Sequence, residues 1–329
     1  MRLALSITLI LGLGCSGVGP SPVVERTGVV ALIRSTEPSY RYTLHTGVLD
    51  PFPLDEAEVE PLLAGPHYFR GGRLFDADGK FFRQSDNASQ VLSTDGRLAW
   101  TELTPHGARL QNELWVGPMG DPDAATQLSH GGSLLSWIDG GRLCYRDSNS
   151  LTELGDTLWC EPVDAPVDRS LVYRSESADI GATTWRSDGA VAFIKGSEVW
   201  MVEPGSGSPE RLVDLQPLIP TWPLEWAPDG TQLAIGLRTA DPDTRGFGLV
   251  DLSTGAWSER SPPTVGGVIL LDWSPDSQAL AGVVAADCWS DPLAMKRRCK
   301  HDLFLFERDQ EPVRLTRRGW ADLPVPVWL

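Results

Sequence analysis

The 329-residue chain lacks the marks of several large protein classes. No window holds a sustained, capped amphipathic helix, which argues against the strand–helix alternation of an α/β domain. There is no Gly-x-Ser-x-Gly elbow, HExxH helix or phosphate-cradling Gly-rich loop, so no motif assigns a nucleophile, a zinc centre or a nucleotide site. Histidine is scarce, and His45, His67, His106, His130 and His301 form no ligand spacing. Asp76 with Asp78, Asp121 with Asp123, and Asp241 with Asp243 lack the full calcium-loop pattern and read as turn residues. Neither a metal nor a cofactor is expected. Basic residues are outnumbered, 28 against 44 acidic ones, for a formal net charge of −16. That balance argues against a nucleic-acid partner, because phosphate binding needs a cationic surface.

Long apolar runs are short of what a membrane span needs. Met1-Arg2 precedes an apolar run from Leu3 to Leu13, then Gly14-Cys15 and a Ser/Gly/Pro stretch through Pro22. One basic residue, a run too short to span a bilayer and small residues after it make an export signal. Cys15 after Gly14, with Leu11 and Leu13 nearby, resembles the lipobox of bacterial lipoproteins, although Gly12 stands where that motif prefers Leu. The resemblance implies acylation of Cys15 and a periplasmic or outer-membrane location, with the lipid as the sole membrane contact. Without acylation the same residues describe a secreted protein. The expected division is residues 1–14 as signal peptide, 15–27 as flexible tether and 28–329 as one folded domain.

The remaining cysteines are Cys144, Cys160, Cys288 and Cys299, two sequence-local pairs in a compartment where disulfides persist. They are expected to bond as Cys144–Cys160, across the polar turn-like segment from Asp147 to Asp156, and Cys288–Cys299. The second pair brackets Trp289 to Arg298, read as an insertion too irregular for a regular strand. Neither pair has the CxxC or paired-histidine spacing of a zinc site.

What the chain does contain is a repeat. Trp185-Arg-Ser-Asp-Gly189, Trp226-Ala-Pro-Asp-Gly230 and Trp273-Ser-Pro-Asp-Ser277 each join a strand ending in Trp to an alternating apolar strand, Ala190–Ile194, Gln232–Ile235 and Gln278–Ala281. Asp and Gly suit the turn, Asp by bonding nearby backbone and Gly by accepting positive φ. Looser copies begin at Leu92 and Trp137, and the register ends at Trp328. Third strands follow at Glu198–Val202, Phe247–Asp251 and Leu303–Phe306, and fourth strands near Glu210–Val213 and Pro312–Thr316. The pattern resembles the WD40-like (PD40) repeats of TolB-type β-propellers, to which Val250-Asp-Leu-Ser-Thr-Gly255 and Arg314-Leu-Thr316 also correspond. The resemblance implies an all-β, single propeller of four-stranded antiparallel blades. Seven blades are expected, and six if His67 to Ser85 is an insertion between blades. Gly28–Ile33 and Tyr40–Leu44 read as second and third strands, so the C-terminal strand would complete the first blade and leave no open edge.

The repeat tryptophans are expected to pack between blades. Trp222, Trp289 and Trp320 read as loop aromatics able to stack on a ligand. Trp289 with Lys296, Arg297 and Arg298 forms a cationic island on an acidic chain and is the candidate partner-contact loop. The functional expectation is an exported, lipid-anchored, monomeric propeller that binds a protein or envelope component. The alternatives are a hydrolase or lyase with a site in the central channel, and a carbohydrate-binding module. No residues are assigned a catalytic role.

Overall fold

A computed structural model describes residues 28–33, 39–52, 73–75, 81–84, 90–92, 97–106, 109–118, 124–130, 132–138, 141–147, 155–164, 169–177, 179–241, 243–291, 296–308, 310–317, 319 and 325–328. Residues 1–27, on which the expected signal peptide, Cys15 and tether fall, lie outside them. The strands are β1 (Val29–Ile33), β2 (Ser39–Thr43), β3 (Val48–Phe52), β4 (Arg73–Phe75), β5 (Phe81–Gln84), β6 (Gln90–Leu92), β7 (Arg97–His106), β8 (Arg109–Pro118) and β9 (Thr126–His130). They continue with β10 (Gly132–Ile138), β11 (Arg142–Asp147), β12 (Thr157–Pro162), β13 (Ser170–Arg174), β14 (Ile180–Trp185), β15 (Val191–Lys195), β16 (Glu198–Val202) and β17 (Glu210–Asp214). The last are β18 (Ile219–Trp226), β19 (Gln232–Arg238), β20 (Thr244–Asp251), β21 (Trp257–Val265), β22 (Val268–Trp273), β23 (Ala279–Asp291), β24 (Lys296–Glu307), β25 (Val313–Arg314) and β26 (Val325–Trp328).

From β6 to β25 every four consecutive strands form one antiparallel sheet. β4 and β5, inside the His67–Ser85 segment, pair as two strands alone, and β26 pairs with β1 at the head of β1–β2–β3. The first strands lie side by side, β6 on β10, then β14, β18, β22 and β26, so successive sheets radiate from one row of inner strands. This is a propeller-type all-β fold, and the described residues contain no α-helix.

Its core sits in the seams between sheets. Ala192, Ile194 and Val199 meet Leu224, Leu233 and Ile235, while Phe247 and Leu249 meet Leu271, Trp273 and Phe306. Leu270, Ala281 and Leu303 in turn meet Val30, Leu32 and Tyr42. A second strand is therefore covered on both faces, which is why Gln232 to Leu237 is buried without a break and Leu233 to Leu237 carries no polar side chain. Cys144 and Cys160 are directly opposed on β11 and β12, bonded to each other and sealed in such a seam.

The repeat turns behave as their residues dictate. In Trp226–Gly230, Asp229 Oδ1 accepts from the Thr231 N–H and hydroxyl at 2.9 and 2.8 Å, and Gly230 takes φ +70°. Ser277 holds φ 60° where the other copies have Gly, and its hydroxyl accepts the Asp229 N–H of the neighbouring turn at 3.0 Å. The repeat tryptophans stitch the seams. Trp226, Trp273 and Trp328 donate their indole N–H to the carbonyls of Thr184, Glu225 and Asp272 at 3.3, 3.2 and 3.0 Å. Each accepting residue immediately precedes the repeat position of the sheet before. Arg186 completes one seam by stacking 5.2 Å over the Trp226 ring while bonding Asp188 and Glu203.

Two expectations are corrected. Trp222 is not a loop residue, because it lies within β18 and its half-buried ring packs against the core between the last sheet and β1–β2. The segment from Trp289 to Arg298 is not irregular: apart from residues 292–295, which are not described, it prolongs β23 and β24 as one hairpin. The cross-strand pairing of the two strands shifts register once, between Ala285 and Asp287, and continues past the blade.

Candidate contact surface

The hairpin of the last four-stranded sheet outgrows its neighbours. β23 has 13 residues and β24 has 12, beside a β22 of six and a β25 of two. Cys288 faces Cys299 in register and is bonded to it, and beyond them Trp289 pairs with Arg298, Ser290 with Arg297 and Asp291 with Lys296.

Two glycines mark where the hairpin leaves the body. Gly266, at φ +78° in the turn between β21 and β22, lies so close that a Cβ there would fall 2.5 Å from Cys288 Sγ and 3.2 Å from Cys299 Sγ. The same turn is tied down by Gly266 N–H to Asp243 O at 2.7 Å and by Ala285 N–H to Gly267 O at 3.3 Å. On the other side a Cβ at Gly319 would reach 2.7 Å from Lys300 Cδ. Body backbone thus touches the hairpin at Cys288, Cys299 and Lys300, and three further described pairs, Trp289–Arg298 to Asp291–Lys296, prolong the ladder from there. The disulfide staples the exit point.

Charge sets this hairpin apart. Lys296, Arg297, Arg298 and Lys300 stand against Asp287 and Asp291 in a chain of net charge −16. At the opposite end, carboxylates are engaged in their own turns. Asp188 is held below the usual carboxylate range by its hydrogen bonds from Arg186, and Asp251 by those from Ser253 and Thr254. At the hairpin's own end, in the β19–β20 turn that the Gly266 N–H reaches through Asp243 O, Asp241 accepts from the Asp243 N–H and the Thr244 hydroxyl, at 3.0 Å each, as a turn residue does.

Among the described residues no group of three or more His, Cys, Asp or Glu side chains is placed to hold a metal ion. A cleft between the fifth and sixth four-stranded sheets counted in chain order from β1, lined by Phe247, Arg260, Trp273, Gln278 and Phe306, measures about 10 Å³, room for one water. Glu161 is one buried titratable side chain that sequence reasoning missed. It is 1% exposed, bonded by the Tyr145 hydroxyl at 2.8 Å, near an Arg169 guanidinium that stacks 3.7 Å over Trp159 and pairs with Asp147. Burial raises its carboxyl above the ordinary range, against the smaller opposing effects of Tyr145 and Arg169. Such burial keeps it from any substrate.

A raised folded-state pKa stabilises the fold at acid pH, where the carboxyl is neutral in both states, and that stability is lost as pH rises through the folded value. Glu161→Gln, which keeps the oxygen facing Tyr145 and removes the charge, is therefore expected to raise the melting temperature at pH 8 and leave it unchanged at pH 4. Melting curves at both pH values check this. A lower melting temperature at pH 8 would mean that the ionised carboxylate is held favourably by Arg169.

Of the residues singled out from sequence, Trp289, Lys296, Arg297 and Arg298 come together on the stapled hairpin. Cys15, His67, Asp76, Asp78, Asp121, Asp123 and Trp320 lie outside the described residues. The hairpin had a legible signal: Cys288 and Cys299 are 11 positions apart with the turn-favouring dipeptide Asp291-Pro292 between them, a spacing that suits a stapled hairpin.

No family model matches the chain, and no curated protein sequence matches it. Solved structures do resemble it. Puromycin hydrolase is 14% identical with a TM-score of 0.58, over 93% of this chain and 54% of that one. A puromycin-hydrolysing peptidase of Mycobacterium tuberculosis is 16% identical with a TM-score of 0.50, over 91% and 46%. The β-propeller domain of the trilobed protease from Pyrococcus furiosus is 10% identical with a TM-score of 0.47, over 68% and 70%. The chain spans about half the length of the two puromycin-cleaving proteins. At these identities the likeness is one of fold.

Proposed function

We propose that this chain is an exported binding propeller of the TolB-like type, which engages a protein or envelope component through the stapled β23–β24 hairpin. In this reading residues 1–14 are a signal peptide, Cys15 carries the lipid and 15–27 tether a monomeric domain of residues 28–329, making the chain a periplasmic or outer-membrane lipoprotein. The domain is a seven-bladed ring, with the β4–β5 pair as the abbreviated blade and β26 completing the blade of β1–β3. The two disulfides agree with a compartment outside the cytoplasm.

One observation carries the binding role: a basic, covalently stapled hairpin prolongs the last four-stranded sheet of a strongly acidic protein beyond its paired third and fourth strands. A disulfide at the exit point removes conformational freedom that binding would otherwise have to freeze, and the local charge differs in sign from the rest of the surface. Hydrolytic activity belongs by name to chains about twice this length and is not part of the proposal.

The test is capture from a solubilised envelope fraction by the immobilised mature chain lacking Cys15, beside a Lys296→Ala, Arg297→Ala, Arg298→Ala variant. A saturable partner bound by the first and at least about tenfold more weakly by the second is expected, since close interfacial charge pairs contribute about 1.5 kcal/mol or more. Equal capture by both would remove the hairpin from the interface. No capture by either would turn attention to small ligands.

A further inference from the structure

We infer that the Cys288–Cys299 disulfide is a thiol-exchange site, opened by a dithiol reductant while Cys144–Cys160 stays closed. Both bonds join directly opposed residues of adjacent antiparallel strands, so their local backbone setting is alike. Their surroundings differ. Cys144 and Cys160 are 0% and 1% exposed, packed among Ile180, Trp185, Val191 and Phe193 in the seam between two sheets. Reaching them requires those sheets to part. Cys288 and Cys299 are half-buried at the exit of the hairpin, with the Gly266 backbone against one side of the bond and no sheet-to-sheet seam closing over them among the described residues. Exchange rates follow access to the sulfur, because the attacking thiolate must approach along the S–S axis.

The reaction is self-contained. A reductant thiolate attacks one sulfur, the S–S bond breaks as a mixed disulfide forms, and the released cysteine thiolate takes up a proton. The second thiol of the reductant then attacks the mixed disulfide, freeing the other cysteine as a thiol and closing the reductant into its own disulfide. Two electrons pass from the dithiol to the protein.

Opening the bond changes the hairpin. Beyond the staple only three described register pairs remain, with no third strand beside them among the described residues, and a two-stranded extension of that size is marginal in water. Reduction would turn the ordered contact hairpin into a loose loop. That consequence for binding rests on the contact role proposed above, whereas the exchange chemistry does not.

The experiment therefore needs no partner. The mature chain, under native conditions, is titrated with dithiothreitol, pulse-alkylated and read by peptide mass spectrometry, with hydrogen exchange measured on the same samples. Cys288 and Cys299 are expected to label at a reductant concentration at least about tenfold below that needed for Cys144 and Cys160. Exchange in residues 289–298 is expected to rise at least about tenfold at the same point, with residues 280–284 and 302–306 unchanged. Labelling of both pairs together, or of Cys144 and Cys160 first, would overturn the inference. Labelling of Cys288 and Cys299 without faster exchange in the hairpin would overturn the switching consequence. A Cys288→Ser, Cys299→Ser variant should show the fast hairpin exchange without reductant, and if it does not fold the titration decides alone.

Discussion

Replacing Trp273 with alanine is expected to destabilise the protein by about 3–5 kcal/mol, the range for truncating a buried tryptophan. Trp273 is 7% exposed and packs with Ala234, Phe247, Leu271 and Phe306, so its loss empties the centre of one seam. It also leaves the Glu225 carbonyl, which accepts its indole N–H at 3.2 Å, without that donor. Trp273→Phe separates the two contributions, since it restores most of the volume and none of the hydrogen bond. Its expected cost is about 1–3 kcal/mol, the range for losing one partly buried hydrogen bond together with a small void. Urea denaturation followed by far-UV circular dichroism measures both. Trp257, which is among the exposed large hydrophobics, serves as the control. If Trp273→Ala shifts the midpoint no further than Trp257→Ala does, the repeat tryptophans are not the anchors of the seams.

Asp302→Ala is expected to cost about 3 kcal/mol, arising from buried donors left without an acceptor. Asp302 is 0% exposed and its carboxylate takes the Thr316 hydroxyl at 3.2 Å, the Gly319 N–H at 3.1 Å and the Arg314 guanidinium. Thr316 in turn accepts the Leu303 N–H at 2.9 Å, so one carboxylate holds the chain where it leaves β25 along β24. The Arg314 side chain is 36% exposed and recovers solvation when its partner is lost, which places most of the cost on Thr316 and Gly319. Asp302→Asn keeps an oxygen for these two donors and is expected to lose about half as much. An asparagine variant as damaged as alanine would show that the ion pair, and not the neutral hydrogen bonds, holds this segment.

The blade strands were legible because their determinants are local. Alternation and apolar runs mark β15, β16, β19 and β20 within a residue or a few of their ends, and the Asp-Gly turns need only their own side chains and a positive φ. The partners of both disulfides were legible for the same reason, since each pair closes a short hairpin. Trp222 was misplaced because a Pro223 neighbour suggests a loop, whereas β18 absorbs that proline at a bulge between Thr221 and Leu224. The irregular composition after Cys288 concealed a continuous ladder, because backbone pairing in a hairpin needs no apolar alternation once a disulfide holds the register.

By itself the sequence determined the repeat unit, the all-β class and which cysteines bond, for each depends on residues a few positions apart. Only the tertiary structure decided which carbonyl each repeat tryptophan reaches, since those acceptors lie 42, 48 and 56 residues back along the chain. It also decided that Glu161 is sealed from water and that one disulfide is buried while the other stands at the exit of a basic hairpin. Burial and access are properties of neighbouring sheets packed together, and no local pattern encodes how far a hairpin outgrows the body beside it.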